Sequence, residues 1–340
     1  MAGTASGMIA SGAAHGRSLE RPPSDGVSSL SFSSSSDLLV CSSWDGSARL
    51  YDGPRNVCRA SFSQQAPVLD ATFQDDSRIF LGGLDGVVKR YDFFARQEAT
   101  VGQHLAGVRC VEWLPERGLL ATGSWDRTLS CWDPRIPQGS NQAAQLRLPG
   151  KIFSMSHAGQ RLVIATSSRH VLIYDIRKMD GLPEHERESS LRYQTRCLRC
   201  YPNATGFAIS SVEGRVAMEY FDMSESVQAK RYAFKCHRKS DTGQDTVYPV
   251  NALAFHPSYG TFASGGGDGN VNIWDGANKK RLCQIPGYGT SIAALAFSRD
   301  GRHLAVAASY TWEFGEQDHP ADAIYVRPMH DVEVKPKPRM

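Results

Sequence analysis

Five stretches of the chain alternate apolar with small or polar residues at a period of two: Ser29-Leu-Ser-Phe32, Val68-Leu-Asp-Ala-Thr-Phe73, Val108-Arg-Cys-Val-Glu-Trp113, Val250-Asn-Ala-Leu-Ala-Phe255 and Ser291-Ile-Ala-Ala-Leu-Ala-Phe297. That period sends successive side chains to opposite faces of an extended backbone, so each stretch predicts a β-strand. Four tight turns rich in Gly, Ser or Trp end in Asp, and seven residues beyond that Asp a second one follows an aromatic. The four pairs are Ser43-Trp44-Asp45 with Tyr51-Asp52, Gly83-Leu84-Asp85 with Tyr91-Asp92, Ser124-Trp125-Asp126 with Trp132-Asp133, and Gly266-Gly267-Asp268 with Trp274-Asp275. A carboxylate in such a hairpin can accept neighbouring backbone hydrogen bonds while Gly takes any positive φ that follows.

The first three copies close at Asp52, Asp92 and Asp133, spaced by 40 and 41 residues. Degenerate copies fill the gap before Asp275: Val171-Leu-Ile-Tyr174-Asp175 lies 42 residues after Asp133, and Glu213-Gly214-Arg215 opens a strand ending in Glu219-Tyr220. A period near 40 carrying these turns is the signature of a WD repeat, one four-stranded blade per copy. With Ser291–Phe297 opening a seventh blade, the chain reads as all-β, a single seven-bladed WD40 β-propeller. The boundaries drawn are a disordered N-terminal tail over 1–24, the propeller over 25–330 and a basic C-terminal tail over 331–340. Ring closure is expected to pair the strand near Ile324-Tyr-Val-Arg327 with an N-terminal segment. His104, Asp126, a hydroxyl of Thr122 or Ser124, and Trp132 have the spacing of a hydrogen-bonded tetrad that stabilises a blade, a fold role rather than a site.

Composition narrows the function. Net charge is +3, no apolar run reaches bilayer length, and the N-terminal residues lack the pattern of a secretory or transit signal, so a soluble protein with no membrane partner is expected. Eight Cys are scattered singly apart from Cys197-Leu-Arg-Cys200. Residues three apart on a strand point to opposite faces, so buried reduced thiols in the nucleus or cytosol are the preferred reading over a zinc or redox pair. There is no nucleophile elbow, no phosphate-binding glycine loop and no His-Glu-x-x-His; Gly265-Gly266-Gly267 runs into Asp268 and a strand. The expectation is a non-enzyme with no cofactor and no metal.

A propeller of this kind offers surfaces for peptides. Trp44 and Trp125 sit at loop tips and are expected to show a face to solvent, as partner anchors or packed on the adjacent blade. From Arg192 to Lys239 the chain is locally basic, with Arg192, Arg196, Arg199, Arg215, Lys230, Arg231, Lys235, Arg238 and Lys239 against Glu213, Glu219, Asp222 and Glu225. That asymmetry points to an anionic partner, phosphopeptide, acidic peptide or nucleic acid, or to a solvated surface. Arg196 at the start of an inner strand and Arg215 after its hairpin are placed to converge near one rim, where guanidinium groups grip phosphate bidentately.

The strings Arg187-Glu-Ser-Ser-Leu-Arg-Tyr-Gln-Thr-Arg196-Cys, Glu213-Gly-Arg-Val-Ala-Met-Glu-Tyr220, Tyr232-Ala-Phe-Lys-Cys-His237-Arg238 and Asn278-Lys-Lys-Arg-Leu-Cys283 resemble the Bub-three family of spindle-assembly-checkpoint WD-repeat proteins, in order as well as identity. The resemblance runs from Asp25 to the Lys335-Pro-Lys-Pro tail. It implies a non-enzymatic adaptor, monomeric as a propeller, in the nucleus and at mitotic kinetochores. Such an adaptor binds a short segment of checkpoint kinases over the ring's top and reads a phosphothreonine of a kinetochore scaffold. By motif, Trp44 and Trp125 would line the partner groove, Glu213 and Arg238 would add polar contacts, and Arg196 with Arg215 would hold the phosphate. The related messenger-RNA export factor is the rival reading, with nucleic acid disfavoured as principal ligand; a ubiquitin-ligase substrate receptor is a third. The acidic segment Trp312–Asp322 reads as a long blade-seven loop with no assigned contact.

Overall fold

The computed structural model describes residues 15–179 and 181–337. Their sheets are seven antiparallel four-stranded blades plus one two-stranded hairpin, Arg238–Asp241 with Gln244–Val247. The innermost strands are Val27–Phe32, Val68–Phe73, Val108–Leu114, Ile152–Ala158, Thr195–Cys200, Val250–Phe255 and Ile292–Phe297. In six blades the other three strands follow outward in chain order; blade seven takes His303–Ala308 and Ala323–Pro328 next and ends in Arg17–Ser18.

Closure therefore uses residues assigned above to the tail. Arg17 pairs with Val326 and Ser18 with Tyr325, Leu19 donates its N–H to Ile324 O at 2.7 Å, and the Leu19 side chain is buried. The ring thus begins before Asp25, because a seventh blade built only from the C-terminal end would leave an open edge; residues 1–14 lie outside the described part. At the other end, Asp331–Val334 forms a helical turn with Val334 buried, and Thr261 Oγ1 donates to Val334 O at 2.7 Å. Asn278 Nδ2 donates to Lys337 O at 3.2 Å, so the segment read as a basic tail is docked on blade six as far as Lys337.

Hydrophobic residues gather between blades rather than in one central core. Each of the seven clusters among the described residues straddles a neighbouring pair, as Val40, Leu50 and Phe62 of blade one meet Val68, Phe73 and Ile79 of blade two. Each blade is too thin to bury a face alone, so stacking around the ring is what removes apolar surface from water. Polar side chains on the channel side add lateral bonds: Asp70 Oδ2 accepts Val111 N–H at 2.8 Å, Glu112 Oε1 accepts His157 N–H at 3.1 Å, and Ser154 Oγ accepts Leu198 N–H at 2.9 Å.

Two tetrads brace the blades. In blade three Trp132 Nε1 donates to Thr122 Oγ1 at 2.7 Å, which meets His104 Nε2 at 2.8 Å; His104 Nδ1 then reaches Thr128 Oγ1, which donates to Asp126 at 2.5 Å. The expected chain is present with Thr128 inserted before the carboxylate. Blade six holds a second one: Trp274 to Ser264 to His237 to Asp268, each link 2.8 Å. Cys197 packs in the cluster between blades five and six and Cys200 in that between four and five, the opposite faces expected; burial raises the Cys200 thiol to about 12.

Candidate docking site

Every innermost strand slips register against its neighbour at the same level. The slips fall between Val27 and Ser29, Val68 and Asp70, Val108 and Cys110, Ile152 and Ser154, Thr195 and Cys197, Val250 and Ala252, and Ile292 and Ala294. Each leaves one unmatched residue: Ser28, Leu69, Arg109, Phe153, Arg196, Asn251 and Ala293. A bulge re-aims its extra side chain, and all seven here line one depression of about 620 Å³ at the mouth of the channel. Trp44, Trp125, Tyr310, Thr311 and Trp312 line it as well.

A second position repeats outside this ring. The residue ending the second strand's hairpin donates its N–H to the carbonyl before the innermost strand: Trp44 to Gly26 at 2.9 Å and Trp125 to Gly107 at 3.0 Å, with Leu84, Ser167, Val212, Gly267 and Ser309 equivalent. The backbone is the same in all seven, but only blades one and three present an indole. Glycine lies beneath both: a Cβ on Gly107 would crowd Trp125 Cε3 at 3.0 Å, while one on Gly26 would meet Trp44 Cδ1 at 3.4 Å, an ordinary contact. Trp44 is 43% exposed and Trp125 half-buried, so both reach the depression.

On the opposite side Arg196 donates Nε and Nη2 to Asn251 Oδ1 at 3.0 and 2.8 Å. Burial and the neighbouring Arg109 cation hold its guanidinium below the ordinary value, with Glu313 opposing them. A neutral amide oxygen thus orients Arg196 without cancelling its charge. Arg109 is half-buried, lines the same mouth, and has no ion pair among the described residues. Two cations over a channel partly closed to water make a site for one or two acidic oxygens.

The six residues singled out in the sequence fall into two groups. Trp44, Trp125 and Arg196 share the mouth. Glu213, Arg215 and Arg238 gather instead at the outer part of blade five: Arg215 Nε lies 3.5 Å from Glu213 Oε1, and Arg238 Nη2 donates to Glu213 O at 2.9 Å. The register runs from Thr195 to Ser211 to Arg215, so Arg196 and Arg215 sit at the same end of blade five, two strands apart, about 10 Å by strand spacing. Their guanidinium groups face different partners, Asn251 and Glu213. Arg109, Phe153, Asn251, Tyr310 and Trp312 were not anticipated. Aligning the innermost strands on one another would have found the first three, since each stands second in its run.

The WD domain, G-beta repeat family model matches residues 15–52, 96–133 and 233–275. The chain is 57% identical over 327 residues to the mitotic checkpoint protein BUB3.1 of Arabidopsis thaliana, covering 96% of each. The chain belongs to the Bub3 family of mitotic checkpoint proteins. The family extends toward a second group, for the chain is also 34% identical to the poly(A)+ RNA export protein of Schizosaccharomyces pombe, over 94% of this chain and 92% of that one. A chain from the crystal structure of the mitotic checkpoint complex superposes with a TM-score of 0.74 at 18% identity, over 93% of this chain and 91% of that one, which shows a common fold. As a Bub3-family member, this is a WD40 spindle checkpoint protein.

Proposed function

We propose that the channel mouth docks a short linear segment of a checkpoint kinase or related checkpoint protein, making this chain a non-enzymatic adaptor of the nucleus and the mitotic kinetochore. Apolar side chains of the segment cover Trp44, Trp125 and Trp312, and an acidic side chain enters the mouth toward Arg109 and Arg196. The observation that carries this reading is the gathering, in one 620 Å³ depression, of indoles with two guanidinium groups that make no ion pair among the described residues. Aromatic anchors supply most of the binding energy in such contacts, while charged pairs fix orientation. A phosphothreonine of a kinetochore scaffold is read beside it, at the end of blade five, by Arg196 and Arg215, with Glu213 and Arg238 shaping the neighbouring turn. Two negative charges near neutral pH suit that cationic edge.

Calorimetry with a scaffold peptide carrying Thr or phosphothreonine tests the phosphate reading. Wild type should prefer the phosphorylated form, and Arg196→Ala combined with Arg215→Ala should bind both alike; equal affinity of wild type for the two peptides rejects it. The 34%-identical RNA export relative keeps RNA as a competing ligand. RNA binding would weaken steeply as salt rises, whereas docking anchored by Trp would weaken little.

A further inference from the structure

The connection between His303–Ala308 and Ala323–Pro328 in blade seven folds across blade six, where Gly267 makes room for it. A Cβ there would come within 2.8 Å of Glu313 Oε1. Glu313 is thus brought beside the channel mouth without touching either arginine: among the described residues no ion pair joins it to Arg196 or Arg109. It is instead held by two hydroxyls. Ser291 Oγ donates to Glu313 Oε1 at 2.6 Å, and Thr311 Oγ1 donates to the same oxygen.

These bonds have a direction that propagates. An ionised carboxylate only accepts, so the Thr311 proton is committed to Glu313 and its oxygen accepts from Asn251 Nδ2 at 3.3 Å. Asn251 must then turn its amide oxygen to Arg196, where it receives Nε and Nη2. Reversing the amide would set its N–H donors against the guanidinium. Glu313 Oε2 is buried without a hydrogen-bond partner, so the carboxylate charge is not fully compensated locally and acts on the mouth.

We propose that Glu313 is the positioning and charge-setting residue of the docking site. Through Thr311 and Asn251 it holds Arg196 at the mouth, and its charge offsets one of the two arginines, so that the mouth favours a doubly charged phosphate over a singly charged carboxylate less than two unopposed arginines would. This rests on the docking of an acidic segment proposed above.

The probes are acetate and inorganic phosphate, titrated in mildly alkaline buffer, where phosphate is mainly dianionic, at constant ionic strength into the full chain, with the Nε–H resonances of Arg109 and Arg196 followed by NMR. Glu313→Gln keeps an acceptor for Thr311 but removes the charge. It should tighten phosphate about tenfold and acetate about threefold, because a Coulomb energy scales with the ligand's charge. Thr311→Val should shift the Arg196 resonance and weaken both anions several-fold, and Thr311→Ser should restore wild-type behaviour. Phosphate and acetate affected equally by Glu313→Gln, or no response of either arginine in both proteins, overturns the charge-setting role. An unmoved Arg196 resonance in folded Thr311→Val overturns the relay. Neither readout needs a docked peptide: if checkpoint segments fail to bind while the anion selectivity shifts as stated, the adaptor reading alone falls, and the converse result removes only the role of Glu313.

Discussion

Blades one to three surround their share of the mouth with Trp44, Leu69 and Trp125, whereas blades three to six surround theirs with Arg109, Phe153, Arg196 and Asn251. The backbone beneath the two sides is the same, with one bulge per innermost strand and one N–H bond per hairpin. Two positions per blade are therefore released from the packing that fixes the rest of the repeat. None of these residues belongs to the clusters between blades, so chemistry can change there without disturbing them. One side is suited to affinity through apolar burial and the other to orientation through charge.

The largest expected effect separates the sides by their response to salt. Replacing Trp44 and Trp125 together by Ala should weaken a checkpoint-kinase segment about 100-fold, with the salt dependence unchanged, as read by calorimetry at two ionic strengths. If that double variant lost the salt dependence instead, the division would be wrong. A comparable test acts on the frame below the charged side. His237→Ala breaks the blade-six tetrad and leaves Ser264 and Asp268 each short of a partner, so denaturant unfolding should show a loss of about 2 kcal/mol. The remaining folded protein should keep its ligand preference.

Arg196→Ala should cost an acidic segment about tenfold and flatten its salt slope. It should leave a segment with Gln in place of the acidic residue nearly unaffected; equal losses for both would assign Arg196 a packing role. The smallest effect is on pH. Burial holds His104 below its ordinary value, with Asp126 opposing. The unfolded chain then takes up a proton that the folded one does not, so this residue withdraws stability as pH falls below about 6.5 and contributes no slope above it. Unfolding midpoints measured across that range should fall less steeply with acid for His104→Gln than for wild type.

Much of the candidate site was legible because its residues stand at fixed places in the repeat. Trp44 and Trp125 precede the turn Asp, and Arg196 stands at the head of an inner run. Arg109 holds the same rank as Arg196 in its own strand, and only an alignment of the innermost strands on one another marks it; read alone, an Arg between Val108 and Cys110 gives no sign of being expelled by a bulge. Trp312 and Glu313 were harder still, since they lie in a connection outside the repeat. That connection meets Gly267, 45 residues upstream of Trp312, an approach that no pattern in the chain marks.

Local order specified most of the repeat: alternation marks five innermost strands, Asp and Gly mark four hairpins, and a period near 40 places the degenerate blades between them. Three matters needed the closed ring. Arg17 and Ser18 become strand rather than tail because the last blade keeps an open edge until the two ends of the chain meet. Glu213, Arg215 and Arg238 separate from the mouth because position along a strand sets height while strand order sets distance from the axis. Arg109 and Arg196, 87 residues apart, become neighbours because seven inner strands converge on one channel, and only that convergence sums their charges in a single place.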